Sequence, residues 1–461
     1  MITWILIGGA LSGAGLFALI LILAPPATQP AAALAENIPI QRWQTAEGTK
    51  VLLVERHENP IVDIDVAFDA GSSRDSANKI GVADFAAGLA DTGTKSLGEE
   101  ALLQRVADLA VSLSSYNTAD TSGVRLRSLS KPDILNPALG LMRDVLVEPR
   151  FDPAVLKREQ DRAVETLKQN RTQPDFLASV ANTRQVYPTH PYGYSARTSE
   201  QTIRRITPAD LQRFHQQYFT RRNAVVAIVG DVSRSQAEAI VSKLTGDLPA
   251  GQALPPLPEA THGAVQTQTL PHSGTQAHIV LGMPLLTPND PDYYALAVGN
   301  YILGGGSFDS RLMKVLRDQH GYTYGASSRL TPLRARGPLT ISFATEKSRA
   351  AAALADTQKV LQEFAANGPT EAELAQAKAS LVGSFPLRFD TNAELLGYLK
   401  LIGLYNLPDD YLSRYPAAVS RLSAEEVKAA WQRRVTGLHT TVVGMPQSGK
   451  PAARRSNGRR R

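Results

Sequence analysis

The feature that most constrains this fold is a weak internal repeat, in which three local patterns recur at nearly one spacing. The spacings between the paired patterns are 218, 216 and 214 residues. The anchor residues of the three pairs are Leu156 with Leu374, Thr207 with Ser423, and Gly230 with Gly444. A nearly constant offset between equivalent patterns indicates two copies of one folding module rather than a single large core.

Each predicted module combines two kinds of periodicity. Residues 50–54, 61–68 and 123–129 alternate or run apolar as strands do, whereas residues 100–110 and 154–169 follow a helical period. The repeated Thr or Ser is a typical N-cap that opens a helix in each copy. These patterns predict an α+β fold of two homologous modules, each a mostly antiparallel sheet with helices packed on one face.

Composition along the chain suggests where the modules end. Residues 248–268 are rich in proline and polar residues, and we interpret them as a linker. The N-terminal module then spans residues 36–247 and the C-terminal module residues 269–446. Residues 1–35 form a signal peptide or membrane anchor, and residues 447–461 form a basic, disordered tail.

The N-terminal segment is the clearest targeting feature. Residues 2–24 carry no charge and are long enough to cross a bilayer. Residues 33–35 (Ala-Leu-Ala) resemble a small-x-small cleavage site. A cleaved export signal and a retained anchor both fit this pattern. Either interpretation places the folded body outside the cytoplasm, in a periplasm or anchored to the membrane.

Composition excludes several classes of site. The chain contains no cysteine, which excludes disulfides, thiol catalysis and cysteine-based zinc fingers. The formal net charge of +6 equals the six basic residues found after residue 449, so the remaining sequence is neutral. A local basic tail predicts a solvated end, or contact with anionic lipid or a partner, and gives no support to nucleic-acid binding.

Residues 81–89 read G-V-A-D-F-A-A-G-L. This is the frame of a helix with the motif H-x-x-E-H, in which two histidines hold zinc and the glutamate activates a bound water. Asp84, Ala87 and Gly88 occupy the positions of the first histidine, the glutamate and the second histidine. We therefore expect no catalytic residue and no metal in this chain.

Further motifs follow in order along the chain: A-G-S-S-R-D (70–75), D-T-G-T (91–94), H-P-Y-G (190–193), I-T-P-A-D-L (206–211) and a strand that ends in G-D (230–231). Together they resemble the pitrilysin and mitochondrial-processing-peptidase family of inverzincins, which are zinc metalloendopeptidases. The resemblance covers about residues 41–444 and is to the non-catalytic subunit type, which lacks the zinc ligands. It implies a body that forms half of a clamshell.

In the active members of this family a glutamate on a later helix is the third metal ligand. Counting from Gly88, the resemblance assigns that position to Glu165. Two carboxylates at Asp84 and Glu165 do not supply the nitrogen ligands that a zinc site favours. No two of the eight histidines lie three or four residues apart, and His190 and His215 fall in family motifs where we expect structural roles.

The C-terminal half retains a pattern that the resemblance connects with substrate. Arg317 and Tyr324 match an L-R-x-x-x-G-x-x-Y motif whose arginine and tyrosine face the catalytic site across the chamber. A guanidinium can bind a carboxylate or peptide carbonyl, and a phenol can donate to an oxyanion. The alternative is a surface arginine on an amphipathic helix and a tyrosine on a strand. The Gly304-Gly305-Gly306 run lacks a P-loop pattern; in the family a glycine-rich loop here touches peptide, although this one is short.

Three hypotheses for function remain. The leading one is the non-catalytic subunit of a heterodimeric zinc metallopeptidase, which contributes Arg317 and Tyr324 to the site of a catalytically active homologous subunit that holds the zinc. The second is an active zinc endopeptidase of the same family. The third is a peptide-holding or structural protein without a protease partner. A neighbouring gene for a similar chain with an intact H-x-x-E-H motif would favour the first.

Overall fold

The computed structural model of the protein describes residues 38–445. The segments predicted as a signal peptide or anchor (1–35) and as a basic tail (447–461) lie outside these residues. Within residues 38–445, no helix is long and apolar enough to cross a membrane. The described chain is built on two β-sheets with helices packed against them, which confirms the predicted α+β class.

The N-terminal sheet has six strands in the order β1-β2-β6-β3-β5-β4. Strands β2 and β6 are parallel, and every other neighbouring pair is antiparallel. The predicted strand at residues 61–68 coincides with β3. The strands are β1 (Gln41–Gln44), β2 (Lys50–Glu55), β3 (Ile61–Phe68), β4 (Ser112–Asn117), β5 (Ser122–Leu129) and β6 (Ala224–Gly230).

The helices of this half begin at residues suited to helix starts. Asp152 accepts a hydrogen bond from the N–H of Ala154 and is followed by a proline, which fits the first helical position. The predicted helices at residues 100–110 and 154–169 correspond to α2 and α4. The helices are α1 (Val82–Ala90), α2 (Glu99–Asp108), α3 (Pro132–Val147), α4 (Pro153–Asn170), α5 (Pro174–Val186), α6 (Glu200–Arg204), α7 (Pro208–Tyr218) and α8 (Arg234–Thr245).

The C-terminal sheet has five strands in the order β7-β11-β8-β10-β9, and only β7 and β11 are parallel. Its strands are β7 (Thr267–Leu270), β8 (Gln276–Leu286), β9 (Ala326–Leu330), β10 (Gly337–Glu346) and β11 (His439–Val443). Its helices are α9 (Tyr293–Asn300), α10 (Arg311–Met313), α11 (Ala350–Asn367), α12 (Glu371–Gly383), α13 (Asn392–Tyr405), α14 (Tyr411–Arg421) and α15 (Ala424–Arg434). Helices α9 and α10 continue as wider π-helical turns over Tyr301–Gly305 and Lys314–Gln319.

The two halves repeat one another in three dimensions, as the sequence predicts. The order β2-β6-β3-β5-β4 of the first sheet matches the order β7-β11-β8-β10-β9 of the second. Thr207 and Ser423 both close capping boxes. Gly230 is the last residue of β6 and Gly444 comes directly after β11, with φ of 139° and 110°. A Cβ at Gly230 would lie 2.1 Å from the carbonyl oxygen of Ile61, so both positive φ and close approach require glycine.

One helix from each half packs on the other half's sheet. Helix α5 contacts β8 and β11, and α13 contacts β2, β3 and β6. The amide of Asn182 on α5 donates to the carbonyls of Val280 and His439 at 3.2 and 2.9 Å. On α13, a Cβ at Gly403 would lie 2.4 Å from a methyl of Val225, so the glycine permits close packing on the sheet. The two halves are therefore joined by an exchange of equivalent helices.

This exchange explains why the central strands are buried on both faces. Val51 and Leu53 face the N-terminal core with helices of their own half, whereas Leu52 and Val54 belong to the core that contains α13. Neighbouring side chains on a strand point to opposite faces, so one strand serves both cores. The sequence predicts helices on one face of each sheet, and the structure adds the helix from the other half on the second face.

Candidate functional site

Helix α1 contains the position at which the sequence predicts a degenerate metal site. Its start is fixed by Asp75, whose carboxylate accepts the N–H groups of Gly81 and Ala83 at 2.6 and 2.9 Å. Gly81 has φ of 96°, a conformation that glycine adopts without strain. Burial, and then the charge of Asp84, raises the pKa of Asp75 well above its usual value. The helix is thus held in place by a buried carboxyl group.

The Asp84 carboxyl group is already hydrogen-bonded within the protein. The side-chain amide of Asn117 on β4 donates to its Oδ1 at 2.6 Å. The Asn117 oxygen in turn accepts from the hydroxyl of Ser122 at 2.7 Å. Burial raises the pKa of Asp84, and the bond from Asn117 opposes that shift. The residue at the first ligand position therefore takes part in a structural hydrogen-bond chain.

The other two positions provide no metal ligand. Ala87 is 1% exposed, so its methyl group is part of the interior, and Gly88 has no side chain. No group of three or more His, Asp and Glu side chains within residues 38–445 is arranged to hold a metal. A zinc site of this type needs two imidazoles and a carboxylate, and the residues around Asp84 do not fit that requirement.

Glu165 lies on the solvent-exposed side of its helix. The Glu165 side chain is 63% exposed on α4 and pairs with Lys168 at 3.3 Å. A different glutamate of α4, Glu159, is fully buried and pairs with Arg158 at 2.9 Å and Arg162 at 3.1 Å. Sequence reasoning missed Glu159, although its helical register with the buried Leu156 and Ala163 was available as a signal.

Arg317 and Tyr324 both lie on the surface of the C-terminal half. Arg317 is on the π-helical turn after α10, and its guanidinium lies 4.7 Å from the centre of the Phe308 ring, itself 64% exposed. Tyr324 lies just before β9 and is 92% exposed. Neither side chain pairs with a carboxylate in the described part of the chain, and the structure shows no contact between them. Tyr324 is exposed and Arg317 is partly exposed, and neither side chain has a hydrogen bond or ion pair within the described residues.

The glycine run before this segment packs within its own module. A Cβ at Gly304 would lie 2.7 Å from the N–H nitrogen of Ser328 on β9, and one at Gly306 would lie 2.7 Å from the carbonyl oxygen of Tyr301. These glycines allow the π-helical turn to approach the neighbouring strand closely. Their spacing is explained by internal packing.

A buried ionic cluster between the two halves was not predicted. Asp65 on β3 is fully buried and accepts hydrogen bonds from the hydroxyl of Tyr116 and from Arg125, both at 2.8 Å. Lys400 on the exchanged helix α13 lies 3.5 Å from the same carboxylate. Burial lowers the pKa of Lys400, and Asp65 opposes that shift. No local sequence pattern relates a strand residue to a lysine 335 positions later.

His190 and His215 have structural roles, as expected from their positions in the sequence motifs. His190 accepts from the N–H of Tyr192 at 3.1 Å and bonds to the carbonyl of Pro258 at 3.0 Å. The Tyr192 hydroxyl donates to the buried Asp120 at 2.7 Å. Burial lowers the pKa of His215 to about 4, and its ring bonds to the carbonyl of Leu146 at 2.9 Å.

Two family profiles match most of the described chain. Residues 50–196 match the insulinase profile of peptidase family M16, and residues 205–381 match the profile described as the peptidase M16 inactive domain. A non-peptidase homolog, YmxG of Helicobacter pylori, is 25% identical over 378 residues, which are 82% of this chain and 87% of that relative.

Solved structures agree with these matches. A peptidase M16 inactive domain from Pseudomonas fluorescens is 35% identical and superimposes with a TM-score of 0.85 over 89% of this chain and all of that one. The periplasmic protease PqqL of Escherichia coli is 16% identical, with a TM-score of 0.75 over 88% of this chain and 45% of PqqL, and shows the same fold.

Proposed function

This chain belongs to peptidase family M16 as an inactive-type member of a zinc metallopeptidase family, and we propose that it is the non-catalytic subunit of a two-chain peptidase. In this proposal a homologous partner holds the zinc, and this chain contributes Arg317 and Tyr324 to peptide binding. The observation that carries the proposal is the contrast within the chain. The ligand positions are occupied by Asp84, Ala87 and Gly88, while Arg317 and Tyr324 remain at the surface.

The chemistry of Arg317 and Tyr324 supports a role with peptide. A guanidinium can bind a peptide carbonyl or a terminal carboxylate, and a phenol can donate a proton in a hydrogen bond to a developing oxyanion. Arg317 is held over Phe308 and keeps its N–H groups available. In the free chain, water can solvate these polar groups. When a second protein surface covers them, they can form hydrogen bonds with a peptide.

The outer edge of the N-terminal sheet offers a second contact for a peptide. Among residues 38–445, strand β4 pairs with β5 alone and therefore has one unpaired edge. The carboxylate of Asp91 accepts the N–H of Ser115 at 2.8 Å and covers part of that edge. An extended peptide can add to the remainder as a further strand. This edge also supports the alternative of a peptide-holding protein without a protease partner.

We propose that the folded body acts outside the cytoplasm. The support is the uncharged segment at residues 2–24 and the similarity of the fold to that of PqqL, a periplasmic protease. Cell fractionation with N-terminal sequencing of the mature chain tests this. An extracytoplasmic chain, cut near residue 35 or intact and membrane-bound, is expected. A cytoplasmic chain that retains Met1 would contradict it.

Affinity purification of the full chain from its own cells, followed by mass spectrometry, tests the partner. We expect a homologous chain with an intact H-x-x-E-H motif in an equimolar complex that contains zinc. A matched purification of the chain with Arg105→Ala, an exposed helix residue, controls for surface changes. Recovery of this chain alone, with no homologous partner after mild cross-linking, would favour the peptide-holding alternative.

A further inference from the structure

A cavity of about 450 Å³ lies between α4, α5 and strand β7. It shares no lining residue with the degenerate site on α1 or with the Arg317 segment. This volume lies in the range typical of sites for small ligands. One wall is apolar and comes from both halves of the chain, with side chains of Leu167, Phe176, Leu177, Val180, Ala181 and Leu270.

Two arginines form the polar end of this cavity. The Nε of Arg184 donates to the carbonyl of Ala196 at 2.8 Å, and an Nη of Arg171 donates to the carbonyl of Thr198 at 3.0 Å. These carbonyls are two residues apart, so both guanidinium groups are anchored to one short segment. The terminal nitrogens of Arg184 have no partner in the described residues, which leaves the part of the group that binds a carboxylate in two-point fashion available.

Among the described residues, no carboxylate forms an ion pair with Arg171, Arg184 or Arg197. Arg197, between the two anchoring carbonyls, donates to the carbonyl of Pro188 and lies over the ring of Tyr194. Burial, and then the charges of Arg171 and Arg197, lowers the pKa of Arg184.

Arginines on nearby helices, in contrast, form ion pairs with carboxylates. Arg158 pairs with Glu99 and Glu159, and Arg204 pairs with Asp161 and Glu200. Three cations close together without an acid repel one another, and a bound anion would relieve that repulsion.

We propose that this cavity binds an amphipathic carboxylate, with its apolar body against Leu167, Phe176 and Leu270 and its carboxylate on Arg184 and Arg171. Ser195 and Thr198 also line the cavity, and a hydroxyl group can donate to a carboxylate oxygen. The inference is independent of the proposed partner and of the Arg317 segment. Two sources share this chemistry: a medium-chain fatty acid, and the C-terminus of a peptide that ends in an apolar residue.

Isothermal titration of the full chain tests the site with four probes. Octanoate and N-acetyl-leucine carry the proposed combination of apolar body and carboxylate. Octylamine has an apolar body with the opposite charge, and acetate has the carboxylate without the body. We expect one-to-one binding of octanoate, N-acetyl-leucine or both, and none of octylamine or acetate. Binding of octanoate alone identifies a fatty-acid source, and binding of N-acetyl-leucine alone identifies a peptide end.

Variants show whether binding occurs in this cavity. The double variant Arg171→Gln with Arg184→Gln should weaken the bound carboxylate by roughly tenfold or more, because it removes both charge-assisted contacts. Val180→Trp, which fills the cavity from its apolar side, should also abolish binding. Arg105→Gln, an exposed helix arginine, should bind as the parent does. Thermal unfolding confirms that each variant is folded.

Two results would overturn the proposal. The first is failure of both carboxylates to bind the parent chain at millimolar concentration. The second is binding by folded Val180→Trp or by the folded double variant with the affinity of the parent.

Discussion

At the position of the first metal ligand, Asp84 is tied to Asn117 and through it to Ser122, whereas in the other half Tyr324 is 92% exposed and Arg317 touches an exposed ring. The first region has converted a catalytic position into internal structure. The second keeps polar groups that the fold does not use. The difference shows that the fold uses the polar group at position 84 for its own hydrogen bonds, whereas it leaves those of Arg317 and Tyr324 available for the role proposed above.

The largest expected effect concerns the exposed region in the assembled pair. Tyr324→Phe and Arg317→Ala should each lower kcat/KM by about 10²–10³-fold, because each removes one donor to substrate or transition state. We expect the tyrosine to act mainly on kcat and the arginine mainly on KM. Steady-state kinetics of the reconstituted complex, with zinc content and assembly measured in parallel, checks this. Arg105→Ala is the control; changes within about twofold for both variants would assign the pair a structural role.

In the region around Asp84, the expected effect is on the stability of the fold. Asn117→Ala leaves the partly buried Asp84 without its donor, which should lower the free energy of unfolding by about 1–3 kcal/mol. Chemical denaturation of the isolated chain measures the change. Ser112→Ala, at an exposed position of the same strand, should have little effect. If the two variants are equally stable, the hydrogen bond from Asn117 to Asp84 does not stabilise the fold.

The pH dependence of stability should sharpen the same contrast with a smaller effect. The raised pKa of Asp84 means that the folded state holds its proton more tightly than the unfolded state. Its contribution is therefore greatest below the ordinary carboxyl pKa near 3.8 and is lost as pH rises through the folded-state value. Asp84→Asn should remove this loss, so the variant gains stability relative to the parent across that window. If the free energy of unfolding has the same pH dependence in Asp84→Asn and the parent, the raised pKa of Asp84 is contradicted.

The smallest effect is expected from the exposed side chains in the isolated chain. Arg317→Ala and Tyr324→Ala should each change the free energy of unfolding by less than about 0.5 kcal/mol, because neither side chain is buried. Thermal and chemical unfolding of the chain without its partner measures this. A loss of more than about 2 kcal/mol for either variant would show that the residue supports the fold and weaken the contrast with Asp84.

The sequence predicted those parts of the fold that local rules govern. Thr207 and Ser423 signal helix starts, and Gly230 and Gly444 mark strand ends, because caps and positive φ depend on neighbouring residues. The exchange of α5 and α13 was not predictable in the same way, because helical periodicity shows which face is buried but not which sheet covers it. The Asp65–Lys400 contact depends on that exchange.

For the site, too, local patterns were predictable and contacts between distant residues were not. Asp84, Ala87 and Gly88 were located by a motif within one helix, and α1 is where the structure has them. Glu165 was assigned by counting across a long gap, and such a count does not show which side chains of a helix are buried. The structure accordingly puts Glu165 in solvent and buries Glu159. The site at Arg171 and Arg184 could not be predicted from the sequence, because only the fold shows that the two arginines line one cavity without an ion-paired carboxylate.

The central claim is that the metal site of this chain has been replaced by structure, and metal analysis of the isolated full chain tests it most directly. Elemental analysis after dialysis against zinc, combined with a peptidase assay with and without chelator, gives the measurement. The account predicts no stoichiometric zinc and no peptide cleavage, because Asp84 is bonded to Asn117 and positions 87 and 88 offer no ligand. About one tightly held zinc per chain, with chelator-sensitive cleavage, would contradict it.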